Sequence, residues 1–312
     1  MERRFPDELC ARYRQFIPDF DEFLAAMNRP LRRTFRVNTL KATRERVQEL
    51  LATLRPEPTA WSDLAFSVGN GVGLGRTLVH FLGLIYVQEA ASMVPPLVLE
   101  PQPGETVLDI AAAPGSKTTQ LAAMMDNSGL LIANDISLER LRGLIGNIDR
   151  AGCLNVAVCR SDGARLGREL EGRCDRVLVD APCSAEGTIR RSCEALERWS
   201  LRGIENFSRA QKNLILAGFR ALKPGGVMVY STCTVAPEEN EAVVAHLLEK
   251  RPEAIAEEIS VPGLKMRPAL CEWNGRRFPG GVAECRRILP QDNDTEAFFL
   301  ARIRKATGAA SQ

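Results

Sequence analysis

Two short segments each place a cysteine among small polar residues: Asp180-Ala181-Pro182-Cys183-Ser184 and Ser231-Thr232-Cys233-Thr234. A thiol of pKa ~8.5 is only a few per cent thiolate at neutral pH, so a nucleophilic cysteine needs a helix N-terminus or a cation nearby. Cys233 is followed by Pro237, Glu238 and Glu239, residue types that open helices, which predicts such a terminus beside it. A lone free cysteine is ordinarily a small buried hydrophobe, and Cys10, Cys153, Cys159, Cys174, Cys193, Cys271 and Cys285 are read that way. Cys183 and Cys233 stand apart, with Asp180, because each lies just past an expected strand end.

A third segment is almost free of side-chain bulk: Ala111-Ala112-Ala113-Pro114-Gly115-Ser116-Lys117. Ser116 stands where a P-loop needs glycine before its lysine, and no G-x-G-x-x-G occurs, so phosphate and dinucleotide signatures are both absent. Either the loop lets a ligand approach the backbone at a helix N-terminus, or it is a tight strand-to-helix turn. Asp135 is placed to accept two ribose hydroxyls or to cap the following helix, and Asp162 in Ser-Asp-Gly carries the same ambiguity. A nucleoside without phosphates fits this set better than NAD or ATP, and S-adenosylmethionine is one.

The elements needed to bring these residues together are visible as alternating patterns. Apolar runs at 106–110, 130–134, 155–159, 176–180 and 227–231 are separated by helix-length stretches at 117–126, 137–151, 204–222 and 237–249. That is the pattern of βαβ units and a parallel sheet, whose ligands bind beyond the carboxyl ends of the strands. Each of the five ends is polar, and four carry an aspartate: Asp109, Asp135, Asp162 and Asp180. The reading is α/β: a doubly wound, mostly parallel sheet over 101–307, a smaller α+β N-terminal domain over 1–100 opening on a helix at 7–27, and a disordered tail at 308–312.

Composition bounds the setting. The 312 residues are 45% hydrophobic and 26% charged, with nine cysteines and two histidines. No run approaches the ~20 apolar residues of a membrane span, and the N-terminus has no apolar signal region. With no C-x-x-C and so few histidines, no metal site is expected; the expectation is a monomer in a reducing cytoplasm. The net charge of +2 conceals clusters. Basic residues crowd between Arg29 and Arg46, again at Arg190, Arg191, Arg198 and Arg202, and again at Lys265, Arg267, Arg276, Arg277, Arg286 and Arg287. Charge runs are usually solvated faces, but three around one cleft read as a phosphate-backbone footprint.

Taken together, LDIAAAPGSKTTQLA, DAPCSAEGTIRR and LKPGGVMVYSTCTVAPEENEAVV resemble the signature segments of RNA cytosine-C5 methyltransferases of the RsmB and RsmF type, most closely the bacterial 16S rRNA enzymes of the RsmF type. FRVNTLK, YVQEAASM and FFLARIRK extend the resemblance over roughly 30–305. It implies a class I methyltransferase sheet, S-adenosyl-L-methionine as donor and RNA as partner, rRNA first and tRNA as the alternative. Carried over by position, Ala111 to Lys117 would line the cofactor, Asp135 would bind ribose, Asp162 would lie by the adenine, and Asp180 would face cofactor and base. Cys233 would be the nucleophile that adds to cytosine C6, and Cys183 would assist product release. Asp180 would donate a proton to N3 if burial and neighbouring acids kept it neutral. Arg190-Arg191 continues into Ser192 where relatives often have proline. A DNA cytosine methyltransferase would instead make Cys183 the nucleophile and leave the Thr-Cys segment unexplained. A catalytically idle RNA-binding scaffold would not need Asp180, Cys183 and Cys233 together.

Overall fold

The computed structural model describes residues 5–308; of the tail expected at 308–312, residues 309–312 lie outside the described residues. Helices Asp7–Tyr13 and Phe20–Asn28 stand where one helix was expected over 7–27. Pro18 is the reason: it has no N–H to give and biases Ile17 away from helical backbone. Strands β1 (Arg33–Val37), β2 (Glu57–Thr59), β3 (Ser62–Val68) and β4 (Ile85–Val87) form an antiparallel sheet in the order β2-β3-β1-β4. Its core is Phe35 stacked on Phe66, with Val37, Val47, Leu51 and Val68 around them.

The larger sheet begins with β5 (Thr106–Asp109), β6 (Leu130–Asn134), β7 (Val156–Cys159), β8 (Cys174–Asp180) and β9 (Leu222–Thr232). It is completed by β10 (Ala254–Glu257), β11 (Arg267–Pro268), β14 (Arg286–Ile288) and β15 (Phe298–Lys305); β12 (Glu272–Trp273) and β13 (Arg276–Arg277) make a separate hairpin. The order is β11-β14-β15-β9-β8-β5-β6-β7, with β10 against β15. The five strands from β9 to β7 are parallel and β15 runs antiparallel beside β9. All five expected strands are present within a few residues. Val177, Leu178, Val179, Val227, Met228 and Val229 are buried because helices cover both faces, as a parallel sheet requires.

The chain leaves β5 for β6 and β7 on one side and returns to β8 and β9 on the other, so the order reverses between β5 and β8. Asp109 and Asp180 end these two strands, at the switch point where open α/β sheets bind ligands. The two N-terminal helices pack beside this edge: Leu9, Tyr13, Ile17, Phe20, Phe23 and Met27 share a core with Ile189, Val235, Leu289 and Ala297. Among the described residues, no helix is long and apolar enough to cross a membrane.

Candidate active site

A cleft of about 1090 Å³ opens at the carboxyl edge of the parallel strands, between the two sheets. Of the residues expected to do chemistry, Ala113, Pro114, Ser116, Lys117, Asp180 and Cys233 line it; Cys183 sits directly behind Cys233. The N-terminal domain contributes Arg32, Arg33, Gln88 and Glu89, among others.

The two cysteine segments converge. Cys183 Sγ lies 3.4 Å from Cys233 Sγ. The hydrogen bond to Cys233, and then burial, push the Cys183 thiol well up. Cys183 therefore holds its proton more tightly than an ordinary thiol, and either sulfur can be the donor in this contact. Glu239 ties the loops together: Ser184 N donates to it at 3.0 Å, Ser184 Oγ at 2.5 Å and Gln211 Nε2 at 2.8 Å. Thr232 donates to Asn240 Oδ1 at 2.5 Å, and Asn240 Nδ2 donates to Thr234 O at 3.0 Å. These bonds hold 237–240 in a turn, so the helix expected from 237 begins at Glu241 instead. Of the cysteines read as buried, Cys193 and Cys271 are exposed.

The cation beside Cys233 is Lys117. Its ammonium donates to Asp180 Oδ2 at 2.7 Å and to Ser92 Oγ at 3.2 Å, while Ser231 Oγ donates to Asp180 Oδ1 at 2.7 Å. Burial disfavours the Lys117 charge, but Asp180 and then Cys233 outweigh it, so its pKa is raised. Both Asp180 oxygens thus accept hydrogen bonds, one from Lys117 and one from Ser231. Asp109, fully buried behind the pair, is pushed by burial, with help from Asp180, to about 7, and Thr118 Oγ1 donates to its Oδ2 at 2.7 Å. Burial pushes Glu239 to about 7 as well.

These carboxyls set a pH dependence of stability. The folded state keeps a proton on Asp109 that the unfolded chain releases near 3.8. Its contribution is thus full below that value and lost as pH rises through about 7. We expect the urea midpoint to fall between pH 5 and pH 9, and Asp109→Asn to flatten the fall; a midpoint rising over that range in the wild-type protein contradicts this reading.

At the end of β6, Asp135 is 2% exposed. Ser137 N donates to its Oδ1 at 2.9 Å, whereas Oδ2 accepts no hydrogen bond from any described residue, although Arg140 Nη1 lies 3.0 Å away. Helix capping falls to Ser137, whose side chain accepts from Arg140 N. Asp162 is exposed and caps the helix Gly163–Glu169, with Oδ1 accepting from Arg165 N at 2.9 Å; it does not line the cleft. Ala112 N donates to Asn134 O at 2.7 Å, and Gly115, at φ 104°, has no room for a Cβ, which would lie 2.7 Å from Leu144 Cδ1. Asn134, which sequence reasoning passed over, knots the ends of β5, β6 and β7 through Ile110 O, Ser161 O and Ser161 N.

Each basic cluster holds one buried arginine, Arg36, Arg190 and Arg287, while most of the other members are exposed. Arg36 is buried, donating to Gln88 Oε1 at 3.1 Å and Thr119 Oγ1 at 2.7 Å. Arg190 donates to the carbonyls of Arg29, Pro30 and Thr295 and to Asp294. Arg267 pairs with Asp19 and Asp292, and Arg287 with Glu241. Of the clustered residues, Arg32, Arg33, Arg190 and Arg191 line the cleft. Charge spacing alone cannot tell a buried arginine with a distant carboxylate from an exposed one.

Five parallel strands reversing at the site, a bulk-free first loop and an acid at the second strand end define a class I methyltransferase. In agreement, NSun6 from Pyrococcus horikoshii, solved with SFG, aligns at a TM-score of 0.85 and 25% identity, covering 98% of this chain and 99% of that one. Residues 96–304 match the family described as 16S rRNA methyltransferase RsmB/F, and residues 5–90 match the N-terminal domain of 16S rRNA methyltransferase RsmF. The chain belongs to the RsmB/F methyltransferase family. A tRNA (cytosine(49)-C(5))-methyltransferase of Pyrococcus abyssi is 46% identical across 97% of both chains. Ribosomal RNA small subunit methyltransferase F of Enterobacter sp. is 42% identical, and this chain, matched over 96% of its length, spans 63% of it.

Proposed function

We propose that this protein methylates C5 of cytosine in RNA, with S-adenosylmethionine as donor and a covalent bond between Cys233 and C6 of the target base. The observation that carries the reading is the meeting of Cys233, Cys183 and the Lys117–Asp180 pair at one strand edge, with Cys233, Lys117 and Asp180 facing the cleft. C5 of cytosine is a poor nucleophile until a group adds at C6, so a thiolate there divides one hard step into easier ones. Cys233 is the attacking sulfur because Lys117 lies in its field and Cys183 keeps its own proton. At the end Cys233 is expelled as the C5 proton leaves, and the Cys183 S–H stabilises the departing thiolate.

The chain's residues fit the donor. Ala111 to Gly115 leave room for close approach, Ser116 and Lys117 open the helix N-terminus, and Asp135 Oδ2, ion-paired with Arg140 but accepting no hydrogen bond from a described residue, is an acceptor suited to a ribose hydroxyl. When bound, S-adenosylmethionine supplies an electrophilic methyl group on a cationic sulfur. Asp162 stays a proposed adenine neighbour, through the oxygen not used in capping. We expect Asp135→Asn to weaken cofactor affinity about tenfold, roughly 1.4 kcal/mol, in calorimetric titration; unchanged affinity removes Asp135 from the site.

The target base must leave any helix to enter the cleft. In this reading the N-terminal domain, residues 1–100, carries the RNA against the methyltransferase domain, residues 101–307, and Arg32 and Arg33 face its phosphates. The sequence reading put rRNA first; the 46% identity to a tRNA enzyme over nearly its whole length favours tRNA. Tritium transfer from labelled cofactor into purified RNA tests the activity, and no incorporation refutes it. Mass-spectrometric mapping of 5-methylcytosine in tRNA and rRNA from a deletion strain decides the substrate class.

A further inference from the structure

Two carboxyls on the cleft wall take no part in the steps above. Glu89 comes from the segment after β4, and Glu296 from the turn before β15. Burial raises the pKa of the Glu89 carboxyl, opposed by the backbone hydrogen bonds it accepts from Glu296 N at 3.0 Å and Ser92 N at 3.1 Å, which favour its charged form. Glu296 is 2% exposed, and its Oε1 accepts no hydrogen bond from any described residue; Arg191 Nε is 3.3 Å away.

The neighbouring backbone holds Glu296 close to the nucleophile. Gly187 N donates to Cys233 O at 2.9 Å, and Ala297 N donates to Gly187 O at 3.3 Å. A Cβ on Gly187 would lie 2.4 Å from Ala297 O and 2.8 Å from Cys233 O, so one glycine's thickness separates the two segments. Phe298, the next residue, has Lys117 Nζ 5.3 Å from its ring centroid.

We propose that Glu296 is a further catalytic residue: it lends a proton to N3 of the target cytosine while Cys233 is bonded to C6, and Glu89 is the adjacent charge that keeps that proton on Glu296. The proposal rests on the covalent reading above. As the thiolate adds at C6, the C5=C6 electron pair moves toward C4 and charge builds on N3. Glu296 transfers its proton to N3, leaving a neutral enamine whose C5 is the nucleophile. After C5 is methylated, a base takes the C5 proton, the C6–S bond breaks to restore C5=C6, and N3 returns its proton to Glu296. Glu296 ends as it began.

Asp180 is poorly suited to this role because Lys117 and Ser231 occupy both its oxygens. Lys117 holds its own proton above the ordinary lysine value, too tightly for easy loan. Glu296, raised to about 8 by burial and then by the Glu89 charge, against the opposing fields of Arg191, Lys117 and Arg190, is matched to neutral pH.

The experiment compares wild type, Glu296→Gln and Glu89→Gln by steady-state tritium transfer from pH 6 to 10, with circular dichroism and urea melts as folding controls. Glu296→Gln is expected to lower kcat by about 10²–10³-fold with cofactor Kd and RNA KM within threefold, and to lose the alkaline limb of the kcat profile. Glu89→Gln removes the like charge, so the limb is expected to move to lower pH while the maximal rate holds within about fivefold. A folded Glu296→Gln retaining a third or more of wild-type kcat overturns the proposal. So does an unmoved limb in Glu89→Gln, which decides the matter if Glu296→Gln does not fold. Loss of the Cys233 adduct is read separately on 5-fluorocytosine RNA, so failure of the covalent reading is distinguishable.

Discussion

Cys233→Ala is expected to abolish both methyl transfer and the covalent adduct with 5-fluorocytosine RNA, a loss of at least 10⁴-fold, limited by assay background. Without sulfur addition at C6 nothing raises the nucleophilicity of C5, and Cys183, 3.4 Å from Cys233, does not line the cleft and has its thiol pushed well up. Cys183→Ala is expected to keep or accumulate the adduct while turnover falls, because addition is intact and departure of Cys233 loses its hydrogen-bond donor. Denaturing gel shift of labelled RNA reads the adduct, and tritium release reads turnover. If Cys183→Ala loses the adduct and Cys233→Ala keeps it, the roles are exchanged, as in the DNA-enzyme arrangement.

The second large effect is expected at the ion pair. Asp180→Asn leaves the Lys117 ammonium, with a side chain only 8% exposed, without its counter-charge. Breaking a buried pair costs about 3–5 kcal/mol, and the 29% exposure of Asp180 argues for the lower end, about 3 kcal/mol. Activity is expected to fall about 10³-fold, because a neutral or displaced Lys117 no longer sets the field at Cys233. The double variant Lys117→Met/Asp180→Leu separates the two consequences. It removes both charges and is expected to regain stability to within about 1 kcal/mol of wild type while remaining inactive. Urea unfolding and single-turnover kinetics measure each. An active Asp180→Asn with unchanged stability contradicts the assignment of the pair.

How much of this was legible differs by level. The five parallel strands are legible because a strand covered on both faces must be apolar throughout, and such runs survive in the sequence whatever they pack against. The polar strand ends follow from the same pattern, which is why Asp109, Asp135 and Asp180 could be picked out. The N-terminal helix was misread because the proline penalty is local and the periodicity ran on past Pro18. The helix after Cys233 was placed too early because Asn240 and Glu239 serve distant loops, and nothing near them in sequence says so. Asp162 illustrates an ambiguity resolved in part: one oxygen caps the helix, which leaves the other.

The sequence by itself determined the five parallel strands, the polar residues at their carboxyl ends and the two cysteine segments among those ends. Hydrophobic period and strand-end chemistry are local properties, so they can be read along the chain. Only the tertiary structure decided the charges. It placed the ammonium of Lys117 on Asp180, paired Arg267 with Asp19 and Arg287 with Glu241, and brought Glu89 of one domain against Glu296 at the far end of the other. The protonation of a buried group depends on what faces it within a few ångströms, and those neighbours lie up to hundreds of residues away in the chain.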